Sequence, residues 1–452
     1  MYFCVLIQKI AIMRRKILKK MLEWKALSDD IRKPLILEGA RQVGKTWLAR
    51  ELGKTAFKNY VEVNFEDVEE MRSLFEADFD INRILMAIQS ATGQKIVAGE
   101  TLLFFDEIQH ARRGLLSLKY FREKAPQYHV VAAGSLLGVI DHKDDSFPVG
   151  KVDFLNVFPL SFEEFLDALG KEGLTQILKS NDPVSINAFS SQFADMLRQY
   201  YYVGGMPEAV LAFVNESDYK AVRKVQLSIL KSYEHDFSKH PPKEIAKRMS
   251  LLWNAIPSQL AKENKKFIYS AIKSGARGRD YETAVQWLCD AGMAYKVTRV
   301  KTGDLPLAGF EDADSFKLYV LDIGLHGAMA GLSARSLMQG NGFLEQYKGA
   351  LTEQYVLQEL MLFNEVKIHY WTPDQGIAEV DFVIQMEDTI IPIEVKAERN
   401  LQAKSLKEFV KRYKPESVIR TSMASYEKGN NIIDLPLYAF SLLPKLVGQE
   451  PD

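Results

Sequence analysis

A chain of 452 residues corresponds to about three domains and is long enough to bury several cores. With 47% hydrophobic, 26% charged and 11% aromatic residues it has the composition of a folded globular protein, which excludes the disordered, collagen-like and disulfide-stapled classes. Lys and Arg number 58 against 59 Asp and Glu, a net charge of -1, so the total neither demands nor excludes a polyanionic partner. The two cysteines, Cys4 and Cys289, lie far apart and fit a reducing, cytoplasmic compartment.

The apolar run Met1 to Met13 precedes Arg14, Arg15, Lys16, Lys19 and Lys20. That order is the reverse of a signal peptide, and the run is too short to span a bilayer, so no membrane association is expected. Ile17, Leu18, Met21, Leu22 and Trp24 recur at helical spacing, which predicts a basic helix within residues 1–30 whose charges form a solvated face; Met13 is an alternative start.

Residues 31–160 alternate short apolar runs (Leu35–Leu37, Val61–Phe65, Leu102–Phe105, Val130–Ala133) with helix-like stretches, the pattern of an α/β domain with a parallel sheet. Directly after the first run, Gly39-Ala40-Arg41-Gln42-Val43-Gly44-Lys45-Thr46 matches G-x-x-x-x-G-K-[ST], and the helix opening at Trp47 follows. Glycines let the backbone wrap phosphate oxygens, the helix N-terminus supplies aligned N–H donors, Lys45 meets the β- and γ-phosphates, and Thr46 is a Mg²⁺ ligand. ATP and Mg²⁺ are therefore the expected cofactors. The run Leu102–Phe105 ends in Asp106-Glu107: Asp106 would hold the nucleotide's Mg²⁺ and Glu107 would polarise the attacking water. After Val130–Ala133, Ser135 falls where a γ-phosphate sensor would sit, or is an ordinary turn serine.

From 161 to 238 the pattern is helical (Phe162, Phe165, Leu166; Leu197, Tyr200, Tyr201), broken by Gly204-Gly205-Met206-Pro207, and is expected to form a helical lid. Residues 239–305 give three short helical patterns and then a strand over Ala294–Val300, which suggests a winged helix. Between Lys243 and Arg279 nine basic residues face Glu244 and Glu263, an excess suited to neutralising phosphates, so DNA is the expected partner; docking against an acidic protein face is the alternative. Residues 306–340 are expected to be a connector.

Residues 341–452 read as a second α/β unit: a helix over Phe343–Phe363, strands over Lys367–Trp371, Val380–Gln385 and Ile390–Val395, and a helix over Ala403–Tyr413. Glu394 and Lys396 share one face of their strand, and a neighbouring strand can bring Asp381 beside them. Asp381 and Glu394 would coordinate Mg²⁺ with the Val395 carbonyl, Lys396 would position a water or stabilise phosphodiester charge, and Glu353 is the acid on the preceding helix. Glu379 is either a ligand or an outward-facing partner. This set resembles the PD-(D/E)XK nuclease fold, whose signature is D, then E-x-K, and an inactive copy retained for binding is the alternative.

The runs PLILEGARQVGKTWL, LLFFDEIQ, VVAAGSLLGV, SFPVGKV, FPLSFEEFL and GGMPEAV resemble the prokaryotic AAA-type ATPases fused to a C-terminal domain of unknown function, over residues 14–450. The resemblance implies a core in which the sensor strand lies between the phosphate-loop strand and the Asp-Glu strand. It also implies a homo-oligomer completed by a neighbour's arginine, for which Arg112, Arg113 and Arg122 are candidates; Lys151 stands where some relatives have arginine. The expected function is an ATPase whose nucleotide state controls DNA binding through a winged helix and a nuclease-like domain. The alternative is an ATP-dependent switch or scaffold, with an inactive C-terminal domain, acting through protein partners.

Overall fold

The computed structural model describes residues 13–134, 148–237, 241–338, 345–363, 366–398 and 403–448. Ser135 lies outside the described residues. The chain divides into two compact units, one built on Arg15–Phe158 and the other on Pro159–Cys289 with Met293–Asp452.

The first unit is a five-stranded parallel sheet: β1 (Leu35–Glu38), β2 (Asn59–Asn64), β3 (Thr101–Asp106), β4 (His129–Ala133) and β5 (Asp153–Asn156), in the order β2-β3-β4-β1-β5. β4 lies between β1 and β3, as the resemblance implies. β3 and β4 are buried along their whole length, because a central parallel strand is covered on both faces. Helices α1 (Ile17–Ala26), α2 (Lys45–Ala56), α3 (Ile81–Thr92) and α4 (Gly114–Lys124) accompany the sheet. Asp80 caps α3 by accepting from Arg83 N–H, and Gly93 ends it in the left-handed region. Phe65, Phe75, Phe105 and Phe121 form a chain of ring contacts at 5.7 to 6.1 Å inside this core. Each such pair adds roughly 0.5–1.5 kcal/mol beyond its buried area.

The basic N-terminal segment is not wholly a solvated face. Arg15 is buried, donating to the Val43 carbonyl at 3.1 Å and the Phe158 carbonyl at 2.6 Å.

The second unit contains an eight-stranded sheet in the order β12-β13-β11-β10-β9-β8-β6-β7. Its strands are β6 (Ala294–Val300), β7 (Glu311–Val320), β8 (Ile368–Trp371), β9 (Val380–Met386), β10 (Thr389–Val395), β11 (Val418–Ser422), β12 (Glu427–Lys428) and β13 (Ile432–Pro436). The expected connector thus contains β7, which pairs antiparallel with β6, while β6 pairs parallel with β8. The hairpin at the end of the 239–305 segment is therefore continuous with the C-terminal sheet. The alternation in β7 is masked because Ser315–Val320 are all buried, as befits a strand covered on both faces.

Residues 161–238, expected as a lid, fall in this second unit. Ser161 opens helix α5 (Phe162–Ala168) with a capping box closed by Glu164. The Phe162 N–H donates to Glu359 on helix α12 (Glu345–Leu360) at 2.9 Å. Tyr200, on helix α6 (Ser190–Val203), accepts from Gln358 at 2.8 Å, and Asn187 exchanges hydrogen bonds with the Tyr426 backbone. Helices α7 (Pro207–Glu216), α8 (Tyr219–Asp236), α9 (Lys243–Leu260), α10 (Gly278–Asp290), α11 (Ile323–Met329) and α13 (Lys404–Tyr413) are among the others of this unit. Asp322 caps α11 and accepts from the Gly205 N–H at 2.6 Å, which ties the Gly204-Gly205 turn to β7's end. Among the described residues no helix is long and apolar enough to cross a membrane.

Candidate functional site

The phosphate loop forms as its sequence requires. Gly39 has φ 140°, and a Cβ there would stand 2.2 Å from the Val157 carbonyl, so the loop can pass the end of β5 only as glycine. Gly44, at φ 99°, sits immediately before α2, which leaves the first backbone donors of the helix unpaired within it and aimed along the axis of its positive end. Ala40 and Val43 are buried, Gln42 adopts φ 66°, and Arg41 and Trp47 are half-buried on either side of the loop.

Lys45 folds back over the loop and donates to the carbonyls of Gly39 and Ala40, each at 2.8 Å. Burial pulls its ammonium down to about 8, against the opposing attraction of Glu107 and Asp106. Thr46 donates through Oγ1 to Asp106 Oδ2 at 3.0 Å, so the start of α2 and the end of β3 bring a hydroxyl and a carboxylate together. Burial pushes Asp106 up to about 6; the Thr46 hydrogen bond opposes this, and Glu107 and Glu62 reinforce it. A hard oxygen pair held in a buried, carboxylate-rich corner fits Mg²⁺. Glu107 turns into the left-handed region at φ 50° and accepts from the Gln109 amide, which fixes its carboxylate beyond the strand end.

The three arginines considered as neighbour-facing groups are placed on this unit's own surface. Arg113 donates to the Glu76 carbonyl and lies over the Phe79 ring, and Arg122 donates to the Asp29 and Asp30 carbonyls. Arg112 is exposed, and Lys151 pairs with Glu123 at 2.9 Å.

In the second unit, Glu353, Asp381, Glu394 and Lys396 come together. The register that pairs Ile393 with Phe382 places Asp381 across from Glu394 at the next step, and Asp381 Oδ2 accepts from the Val395 N–H at 2.8 Å. Lys396 pairs with Glu394 Oε1 at 2.7 Å. Burial, followed by the charges of Glu353 and Glu394, drives Asp381 well above the carboxylate range, and burial also raises Glu394. Glu394 Oε2 is buried with no hydrogen-bond donor. An orphaned carboxylate oxygen beside a second, mutually repelling carboxylate is the donor set a divalent cation relieves, so these residues fit Mg²⁺.

Three members of the cluster were not expected. Lys265, Lys317 and Tyr319 all reach Glu353: Lys265 ion-pairs with Oε1, Tyr319 donates to Oε2 at 3.1 Å, and Lys317 stands 3.6 Å from Oε2. Burial raises Glu353, yet the two ammoniums hold it well below the usual carboxylate range. Lys317 also pairs with Glu379 at 2.7 Å, so Glu379 is a partner of a buried cation. The signal for Lys317 was present, since a lone lysine inside Phe316-Lys317-Leu318-Tyr319 is as costly to bury unpaired as Asp381. A separate cavity of about 590 Å³ has Thr352, Ala397, Tyr201, Arg198 and Lys348 in its wall, and none of the cluster's side chains lines it.

Of the nine basic residues between 243 and 279, Lys243, Lys247, Lys262, Lys273, Arg277 and Arg279 are exposed. Lys265 turns inward to Glu353, Lys266 donates to Ser315 at 2.8 Å, and Arg248 lies over the Tyr281 ring.

Residues 31–166 match the AAA domain family, residues 194–336 a domain of unknown function (DUF8612), and residues 348–440 another (DUF4143). No curated protein matches the chain. Among solved structures, the chain is similar to the Walker-type ATPase paby2304 of Pyrococcus abyssi, at 15% identity over 71% of this chain and 96% of that one with a TM-score of 0.45. The Thermotoga maritima RuvB Holliday junction branch migration motor aligns at 14% identity over 65% and 91%, with a TM-score of 0.31. The Aeropyrum pernix ORC1 protein in complex with DNA aligns at 11% over 70% and 91%, with a TM-score of 0.29. The AAA match spans the phosphate loop and the Asp106-Glu107 pair, so the chain carries a P-loop AAA-type ATPase core.

Proposed function

We propose that the protein is a Mg²⁺-dependent ATPase whose nucleotide state governs DNA binding by the basic 243–279 segment and phosphodiester chemistry at the carboxylate–lysine cluster. The observation that carries the ATPase half is the Thr46–Asp106 contact at 3.0 Å beside Lys45. Thr46 and Asp106 would hold the ion, which supplies charge neutralisation for the β- and γ-phosphates. Loop N–H groups from Gly39 to Thr46 bind the phosphates, and Lys45 leaves the Gly39 and Ala40 carbonyls to meet them. Glu107 orients a water and accepts its proton.

In the second unit, Asp381, Glu394 and the Val395 carbonyl would hold a divalent ion, whose chemistry is to lower the pKa of a bound water and stabilise phosphodiester charge. Lys396, anchored on Glu394, positions the attacking water. The nine basic residues, six of them exposed and opposed by only two acids, favour a polyanionic partner for the 239–305 segment, which we read as a winged helix. The test is Mg²⁺-dependent cleavage of DNA and RNA by wild type, Asp381→Ala and Lys396→Ala: cleavage confined to wild type supports the reading, and none by wild type on any substrate overturns its nuclease half.

A second reading, a switch with a catalytically silent C-terminal domain, is favoured by the internal compensation of Glu353 by Lys265 and Lys317.

A further inference from the structure

The carboxylate–lysine cluster is asymmetric in how its oxygens are used. Both oxygens of Glu353 are occupied, Oε1 by Lys265 and Oε2 by Tyr319 with Lys317 at 3.6 Å, and its side chain is 5% exposed. Glu379 is taken by Lys317 at 2.7 Å. Glu394, by contrast, gives only Oε1 to Lys396 and keeps a buried Oε2 without a donor, and Asp381 gives Oδ2 to the Val395 N–H. The oxygens left for a cation are therefore on Asp381 and Glu394, and the third acid is turned to ammonium groups. In keeping with this, among the described residues no three His, Cys, Asp or Glu side chains converge on a point that would hold a metal ion.

Charge counting gives the same result. With Asp381 and Glu394 ionised, as a bound cation requires, Glu353, Glu379, Asp381 and Glu394 carry four negative charges against three positive charges on Lys265, Lys317 and Lys396, a net of -1. One divalent ion takes the cluster to +1 and a second would take it to +3, in an interior where unit charges about 4 Å apart interact strongly even at an effective dielectric near 20. Lys265 reaches the cluster from the loop after α9, and its ammonium is a compact point charge, the form of cation that most resembles a metal ion in its place.

We infer that Lys265 stands in for a second cation on Glu353, so that the cluster binds one divalent ion, at Asp381 and Glu394, and not two. Lys265 is thus a positioning residue that acts through Glu353 and sets the metal stoichiometry. The inference rests on the metal-binding reading of the cluster given above.

The test is Mn²⁺ binding, followed by electron paramagnetic resonance, to nucleotide-free full-length protein carrying Thr46→Ala so that the phosphate loop contributes no ion. The protein with Lys265 intact binds one Mn²⁺, lost in Asp381→Asn. Lys265→Met and Lys265→Gln bind two, the second lost again on adding Glu353→Gln, while Lys265→Arg keeps one. Two ions with Lys265 intact, or one in both neutral variants when these melt like the parent, overturns the inference while leaving the metal site standing. No Mn²⁺ in any variant overturns the metal-binding reading and this inference with it.

Discussion

Replacing Arg15 tests whether the N-terminal segment is part of the nucleotide site's scaffold. Its guanidinium joins the carbonyl of Val43, inside the phosphate loop, to that of Phe158, beyond β5, and the side chain is 7% exposed. Hydrogen bonds from a charged donor contribute about 1.5–3 kcal/mol each. Arg15→Ala removes both and leaves two carbonyls, partly recovered by entering water, so about 3 kcal/mol is expected. For a unit of this size each kcal/mol shifts Tm by about 2–4 °C, which places the loss at about 6–12 °C in the melting of the ATPase unit. The freed Val43 carbonyl loosens the loop before phosphate arrives, and an ATP affinity loss of about tenfold corresponds to about 1.4 kcal/mol of lost preorganisation. Arg15→Lys, which can reach only one carbonyl, should fall between. Scanning calorimetry and ATP titration read both quantities, and an Arg15→Ala protein that melts within about 1 °C of wild type and binds ATP equally well would refute the reasoning.

Glu107→Gln should retain ATP binding but lose turnover by about 10²–10⁴-fold, because the amide cannot take the water's proton; a single-turnover assay separates the two steps. His326 is fully buried against the Tyr347 hydroxyl at 2.7 Å, and burial pulls its pKa down to about 3. The unfolded imidazole takes a proton below about 6.5 and the folded one does not until about 3, so this contribution is complete above pH 6.5 and lost as pH falls, by up to about 1.4 kcal/mol per pH unit. Denaturant titrations of wild type and His326→Gln from pH 7 to 4 should show a shallower acid slope in the variant; parallel slopes would contradict the burial argument. Neutralising Lys243, Lys247 and Lys262 together should reduce the slope of log affinity for double-stranded DNA against log salt by about 3, and an unchanged slope would remove that face from the interface.

Local geometry was legible in the sequence and long-range partnership was not. Gly39 to Thr46 could be read because loop, strand end and helix start are contiguous, and Asp106-Glu107 because a carboxylate pair ending a buried strand has few other uses. The capping box Ser161–Glu164 marks the start of α5, yet the period of Phe162 and Phe165 shows only that an apolar face exists. Which surface it meets is decided by Glu359 and Gln358, nearly two hundred residues away. The sequence groups Arg15 with a solvated helix face and Lys265 with a phosphate-neutralising surface, and a run of like charges gives no sign of which member turns inward. Lys317 lies in the stretch expected as a connector; in β7 both faces are covered from Ser315 to Val320, so no two-residue alternation marks the strand, and the lysine among apolar residues is the clue.

The most direct test of the account is ATP turnover by wild type and Lys45→Ala, with and without double-stranded DNA and Mg²⁺. Mg²⁺-dependent turnover that rises with DNA and vanishes in Lys45→Ala is the predicted result. Turnover that survives Lys45→Ala would contradict the assignment of the phosphate loop, and turnover indifferent to DNA would contradict the coupling of nucleotide state to a nucleic-acid partner.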